Sequence, residues 1–373
     1  MDFSATPAQD DLSALTGRIL TDRVTPERLR EIEAGGQRFD RDLWSELGKA
    51  GVLAAALPEA AGGAGFGLLE QCSVLIEIGR AVAPVPYLPS IVLGAAAVAE
   101  FGSAQQVARW AGPAASGAAI LAAALAEDDS EDPSAPATTA HESDGGWRLT
   151  GTKTCVLAGT AADVLLVPAS TPSGVAVFLV TPGDPGVTVR PQQVTGGDAT
   201  ALVELASAAV PADRVLGNIA AGRDIARWLA ARATVGLCAL QLGVTERALE
   251  LTAAYARSRE QFGKPIGSFQ AVSQRLADGY IDVEGIRLTL WQAAWRMEEG
   301  LSATMETEVA KLWAAEGGHR VAHAAVHVHG GMGVATEYPI HRYFLAAKQL
   351  EFSLGGATEQ RLRIGARLAA ETV

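Results

Sequence analysis

Arg259, Gln261, Phe262 and Gln270 bring a guanidinium, an aromatic ring and two amides together within a short stretch of chain. A guanidinium fork pairs with phosphate oxygens and an amide both donates and accepts. With an aromatic face added, the set suits a charged, planar nucleotide. The same residues also fit a plain helix-loop-helix corner. Ahead of them, Ala248, Leu249, Leu251, Thr252, Tyr255 and Ala256 fall at near-helical spacing, and the basic step Arg257 to Arg259 ends that helix. Gln261-Phe262-Gly263-Lys264-Pro265-Ile266-Gly267 must form a tight loop, and Ser268 is placed to cap a second helix from Phe269.

Further candidates lie elsewhere. His329-Gly330-Gly331-Met332-Gly333 is a glycine-rich turn that lets backbone approach a ligand and equally closes a helix. Five of the six histidines lie between 319 and 341, and His319, His323 and His327 share one helical face. Such spacing suits a metal, yet no carboxylate or cysteine completes a set, so no metal is expected. Cys155 sits in an apolar strand-like run, where packing is favoured over a redox role. Gly62-Gly63-Ala64-Gly65 neither follows a strand nor carries a lysine, which argues against a phosphate loop.

The run Arg259-Glu260-Gln261-Phe262-Gly263-Lys264-Pro265-Ile266-Gly267-Ser268-Phe269-Gln270-Ala271-Val272 resembles the signature of acyl-CoA dehydrogenases. In that family this loop crosses a subunit boundary and binds the ADP half of the neighbour's FAD. The run from His329 to Pro339 is similar to the family's second FAD signature, with His327 where a glutamine usually stands. Leu57-Pro58-Glu59 with Gly62, Gly63 and Gly65, and Val210 to Gly217, resemble the family at their own places, so the resemblance covers nearly the whole chain. It implies FAD as cofactor, with Arg259, Gln261, Phe262, Gln270, His327, Gly330 and Gly331 as its contacts. It also implies an acyl-CoA thioester as substrate, a related acyl-CoA dehydrogenase subunit as partner and electron-transfer flavoprotein as acceptor.

The family's reaction needs a carboxylate to take the α-proton of the thioester while a hydride leaves the β-carbon for the flavin. Ungapped counting from Glu337-Tyr338-Pro339, and again from Gln360-Arg361-Leu362, places Leu354 at the usual base position. The alternative position, on the preceding long helix, holds Ala233, followed by Thr234 in place of an arginine. The family's Thr-Glu-Pro loop appears as Ala126-Glu127-Asp128. Its Lys-x-Trp-Ile-Thr strand appears as Lys153-Thr154-Cys155-Val156-Leu157, so Cys155 and Leu157 replace the aromatic and the hydroxyl beside the flavin ring. No catalytic residue is assigned. The resulting expectation is the base-lacking subunit of a hetero-oligomeric acyl-CoA dehydrogenase. The alternatives are an active homotetramer with a relocated base, Glu351 or Glu359, and a non-catalytic structural or binding protein on the same fold.

These residues need elements to position them, and the hydrophobic patterning supplies three blocks. Residues 1–117 read as helices, 118–217 as short strands of a small antiparallel domain with a mobile acidic loop at 127–144, and 218–373 as a long-helix bundle. The fold class expected is α+β, an acyl-CoA dehydrogenase-like arrangement of N-terminal helical domain, middle antiparallel β domain and C-terminal four-helix bundle. Faces bearing Leu288, Leu290, Trp291, Trp295, Leu312 and Trp313 are expected to exceed what one bundle buries and to form an oligomer interface.

At 373 residues and 49% hydrophobic composition the chain can bury a large core. A net charge of −12 with no basic run argues against nucleic acid or an anionic membrane surface as partner. No stretch reads as a membrane span, and the N-terminus lacks a basic-then-apolar leader, so a cytoplasmic protein is expected. Three widely spaced cysteines, Cys72, Cys155 and Cys238, make no disulfide framework.

Overall fold

The computed structural model describes residues 3–36, 38–128 and 132–371. The chain begins with α1 (Pro7–Arg23), α2 (Pro26–Ala34), α3 (Arg41–Lys49), α4 (Val52–Ala55) and α5 (Leu68–Ala81). A π-helical stretch, Leu88–Ala95, leads into α6 (Ala96–Phe101), followed by the short α7 (Ala104–Gln106) and α8 (Gly112–Ala115). Local chemistry sets the boundaries. Thr6 and Gln9 form a reciprocal capping box at the start of α1, and the Asp40 carboxylate accepts from the amides of Asp42 and Leu43 to open α3. Gly63 is required after Pro58, because a Cβ there would lie 1.9 Å from the Leu57 carbonyl oxygen.

The sheet follows: β1 (Leu121–Ala123), β2 (Thr139–Ser143), β3 (Gly146–Leu157), β4 (Val164–Thr171), β5 (Gly174–Val180), β6 (Val187–Gln192), β7 (Thr200–Pro211) and β8 (Val215–Leu216). Its order is β6-β7-β3-β2-β4-β5-β8, with β1 beside β4. Most pairings are antiparallel, as expected, but β1 and β2 both run parallel to β4. Its buried face gathers Leu149, Leu165, Val203 and Trp147, whose ring meets Phe178 edge-on at 5.3 Å.

The stretch expected to be a mobile acidic loop is pinned instead, and its far end is β2 (residues 129–131 of it lie outside the described residues). Lys153 is fully buried on β3, and its ammonium donates to Glu127 at 2.7 Å. The same carboxylate accepts from the backbone of Ala137 and from both the amide (2.9 Å) and hydroxyl (2.6 Å) of Thr138. A buried ammonium demands such a partner, so the loop is drawn onto the strand.

After the sheet come α9 (Gly222–Ser258), the two-residue strands β9 (Glu260–Gln261) and β10 (Lys264–Pro265), then α10 (Gln270–Glu298), α11 (Thr304–His329), α12 (Ile340–Phe352) and α13 (Ala357–Glu371). The stretch Ile219–Ser258 contains a window of mean hydropathy 1.2, apolar and long enough to cross a membrane, contrary to the sequence expectation. Since 67% of that window is buried inside the protein, it has the character of a core helix. Helices α10 and α11 run antiparallel at close range. Gly279 nears Val321, the Asp282 carboxylate meets the Arg320 guanidinium, and the Trp313 ring covers Gly285, where a Cβ would lie 2.6 Å from it.

Packing groups these elements into two compact units. One gathers the described residues up to Arg28, Leu68–Ala83 and Thr234 onward; the other comprises Leu29–Gly67 and Pro84–Ala233. In the first, Glu298 accepts from the Leu68 amide at 2.7 Å, placing a carboxylate at the N-terminus of α5. The apolar faces expected to stand out on α10 and α11 do so only in part. Leu290 is fully buried within the bundle, Trp291, Trp295, Leu312 and Trp313 are partly buried, and Leu288 is exposed. Helical phase accounts for this, because Leu288 lies roughly 200° around the helix from the buried Leu290.

Candidate functional site

The loop after α9 is a miniature β-hairpin. The Arg259 amide closes the helix on the Tyr255 carbonyl at 2.8 Å, and Lys264 pairs opposite Gln261. Phe262 and Gly263 form the two-residue turn with φ of 54° and 77°, the handedness that matches twisted strands. Glycine adopts that conformation freely, whereas a phenylalanine in it costs about 1–2 kcal/mol. The strain presents a ring that is 93% exposed and has an edge contact with Phe269 at 6.2 Å.

Ser268 does not cap the next helix. Its hydroxyl donates backward to the Pro265 carbonyl at 2.7 Å, and α10 opens after Phe269 without any side-chain cap. Helix α10 starts one residue later than expected, with Phe269 at the capping position, so Ser268 falls one residue short of it, inside the 3-10 turn Ile266–Ser268. Arg259, Gln261 and Gln270 are all exposed, and the Arg259 guanidinium makes no ion pair among the described residues.

The antiparallel register of α10 and α11 joins this hairpin to the glycine turn. Gly279 opposite Val321 and Asp282 opposite Arg320 place Gln270, at the start of α10, level with Gly330, at the end of α11. His327 is exposed one turn before that end. Gly330 has φ 58°, and no atom lies within 4 Å of where a Cβ on Gly330 or Gly331 would be, leaving open room above the turn. The predicted contact residues are thus gathered at one end of the helix pair. A cation, amides, an imidazole and bare backbone fit a diphosphate joined to a flat base.

An aromatic cluster underneath was not assigned from sequence. Tyr255 on α9 stacks on His329 with centroids 4.3 Å apart, and Tyr338 lies against the same imidazole. His329 Nδ1–H donates to the Ala325 carbonyl at 2.8 Å, and the Tyr338 hydroxyl donates to Nε2 at 3.3 Å. Burial lowers the imidazole pKa, which favours the neutral form of this ring. The available signal was that Tyr255, His329 and Tyr338 flank or belong to the two motifs.

The positions for flavin-ring chemistry look different. Leu354 lies in the turn between α12 and α13 at φ 55°, and its carbonyl accepts from the Gln360 amide at 3.3 Å. Before it, the fully buried Lys311 donates to the carbonyls of Leu350 (2.7 Å) and Glu351 (3.1 Å), a cation at a helix C-terminus. The turn is well held, but the side chain it presents cannot take a proton. Ala233 is a buried methyl within α9. Of the relocated carboxylates, Glu351 is paired with Lys348 at 2.6 Å and His319 at 3.2 Å. Glu359 pairs with Arg363, and one of its oxygens lies 2.6 Å from where a Cβ of Gly355 would be.

In the other unit, Cys155 is exposed, not packed as expected. A register shift between Lys153 and Val156 turns it outward at φ 51°, and its amide donates to Gln192 at 2.8 Å.

Comparison with known proteins gives a consistent result. The acyl-CoA dehydrogenase N-terminal domain matches residues 6–118, the middle domain residues 122–210 and the C-terminal domain residues 220–369. The chain is 53% identical over 377 residues to acyl-CoA dehydrogenase FadE27 of Mycobacterium tuberculosis, covering 99% of both. A chain in the crystal structure of the ChsE4-ChsE5 complex from the same organism is 53% identical with a TM-score of 0.95, covering 99% of each. A chain of a variant of the Tcur3481-Tcur3483 steroid ACAD is 43% identical with a TM-score of 0.92, covering 98% of each.

Proposed function

This chain belongs to the acyl-CoA dehydrogenase family, and from that premise we propose that it is the base-lacking subunit of a hetero-oligomeric, FAD-dependent acyl-CoA dehydrogenase. Its fold has the three parts expected: N-terminal helices, a middle sheet and a C-terminal bundle. FAD, when bound, accepts the hydride released from the acyl-CoA thioester. This chain grips the ADP half of FAD held by a related partner, and the partner provides the carboxylate and the flavin-ring pocket.

The observation that carries this reading is an asymmetry. Both base positions hold aliphatic side chains, Leu354 and Ala233, and Cys155 and Leu157 offer no ring-side aromatic or hydroxyl. The hairpin residues Arg259, Gln261, Phe262 and Gln270, together with His327, Gly330 and Gly331, remain exposed and assembled. The similarity to chains of the ChsE4-ChsE5 and Tcur3481-Tcur3483 structures supports a mixed assembly. It also makes a steroid acyl-CoA thioester the first substrate to test, with electron-transfer flavoprotein as the acceptor.

Co-purification from the native host with an FAD-to-chain count tests the proposal. The expected result is a related second chain and fewer than one FAD per chain. A homomer with one FAD per chain and robust turnover would overturn it. One observation favours that rival, the closeness of the Glu359 carboxylate to the Leu354-Gly355 turn. Under the rival, Glu359→Gln abolishes turnover by the chain alone.

A further inference from the structure

Of the three histidines along the exposed face of α11, only His327 belongs to the site proposed above. His319 and His323 precede it by two turns and one, with ring centroids 4.3 Å apart. They line a groove of about 720 Å³ between α10 and α11, whose α10 wall starts at Ala271, the residue after Gln270. The groove therefore runs on from the dinucleotide end of the helix pair.

The fixed charges around these rings balance. On α10 stand Arg275, Asp278 and Asp282, the last held by Arg320 of α11. On α12, Lys348 and Glu351 pair with each other at 2.6 Å and lie 3.1 and 3.2 Å from His319 Nδ1. Glu316 of α11 is tied to Arg320 and to Arg361 of α13. Arg275 and Arg320 thus offset Asp278 and Asp282 along the groove, and Lys348 and Arg361 offset Glu351 and Glu316 beside it, so charge gained on an imidazole is not matched by a spare carboxylate among these groups. Phe344 covers one edge of His323 at 5.1 Å without adding charge.

We propose that His323, packed against His319 in this groove, is a proton-sensitive element that tightens this chain's hold on the phosphate-bearing half of the partner's FAD as pH falls. The proposal rests on the reading that the Arg259 hairpin takes that half. An imidazole can gain charge as pH falls, and a charge gained on His323 lies one helical turn from His327. A pyrophosphate there is drawn more strongly to a groove that has become cationic. Burial, then His319 and Lys348, lowers His323, so it charges after an ordinary imidazole and extends the response to more acid conditions.

The test uses the assembly as purified from its host, with FAD release followed by flavin fluorescence. At low ionic strength the parent is expected to hold FAD about twofold or more tighter at pH 5 than at pH 8, an advantage lost near 1 M salt, where screening acts within about 3 Å. His319→Gln/His323→Gln is expected to remove at least half of that pH slope at unchanged affinity at pH 8. If the double variant fails to fold, His323→Gln carries the same test, because that ring makes no hydrogen bond among the described residues. A variant with the parent's full slope overturns the inference. Arg259→Ala separates the two claims. If it weakens FAD binding while the histidine variant keeps the slope, only the inference fails; if it leaves FAD binding unchanged, the underlying reading fails.

Discussion

Arg259 and Leu354 carry opposite expectations. Arg259 has no intramolecular ion pair to give up among the described residues, so its guanidinium is free to form charge-assisted bonds to a diphosphate. Arg259→Ala is expected to weaken FAD retention in the assembly by roughly ten- to a hundredfold, measured by equilibrium dialysis. Arg259→Lys should restore only part, because an ammonium lacks the planar fork. Leu354→Glu places a carboxylate on a turn already fixed by Lys311 and Gln360. The chain alone should still gain little dye-linked turnover, well short of the roughly 10²–10⁴-fold that a positioned base supplies. A Leu354→Glu homomer with full activity would show that the flavin-ring pocket is intact after all.

Among the elements, the loop after β1 depends on one buried ion pair. Removing a single partner of such a pair costs about 3–5 kcal/mol, so Lys153→Met is expected to destabilise the sheet-bearing unit by that much in urea unfolding. The double variant Lys153→Met/Glu127→Gln should recover much of the loss, because no uncompensated charge stays buried. The pair also sets a pH dependence. Burial pushes the Glu127 carboxyl up, but donors from Lys153 and Thr138 outweigh it and hold it below the usual carboxylate range. A depressed folded value means that the contribution is present above the unfolded pKa and is lost as pH falls through the folded one. Acid should therefore loosen this unit, and Glu127→Gln should flatten that part of the stability-pH curve.

At the scale of the whole molecule, exposed Tyr280, Ile281, Leu288, Phe352, Leu362 and Leu368 leave apolar surface on α10, α12 and α13. Obligate interfaces commonly bury more than about 2,000 Å². Sedimentation of the isolated chain is expected to show self-association. A stable monomer across micromolar concentrations would remove the support for a shared flavin site.

Helix and strand identities were legible in the sequence because local periodicity creates them: α9, α10 and α11, and β3 through β7, fall where apolar spacing places them. Candidate contact residues could be named from the sequence as well, because most of them lie in one short contiguous motif. That neither Leu354 nor Ala233 can take a proton was likewise written in the residues. What the sequence could not settle were matters of direction and distance. Whether Ser268 caps a helix or turns back to Pro265 depends on one 3-10 turn. Whether Cys155 packs inward depends on a bulge that flips its face, since strand side chains alternate and one extra residue reverses them. The anchoring of Glu127 on Lys153, and the meeting of Tyr255 with His329 and Tyr338, join residues far apart in the chain. Such contacts follow from how strands and helices pack, so only the tertiary structure decided them.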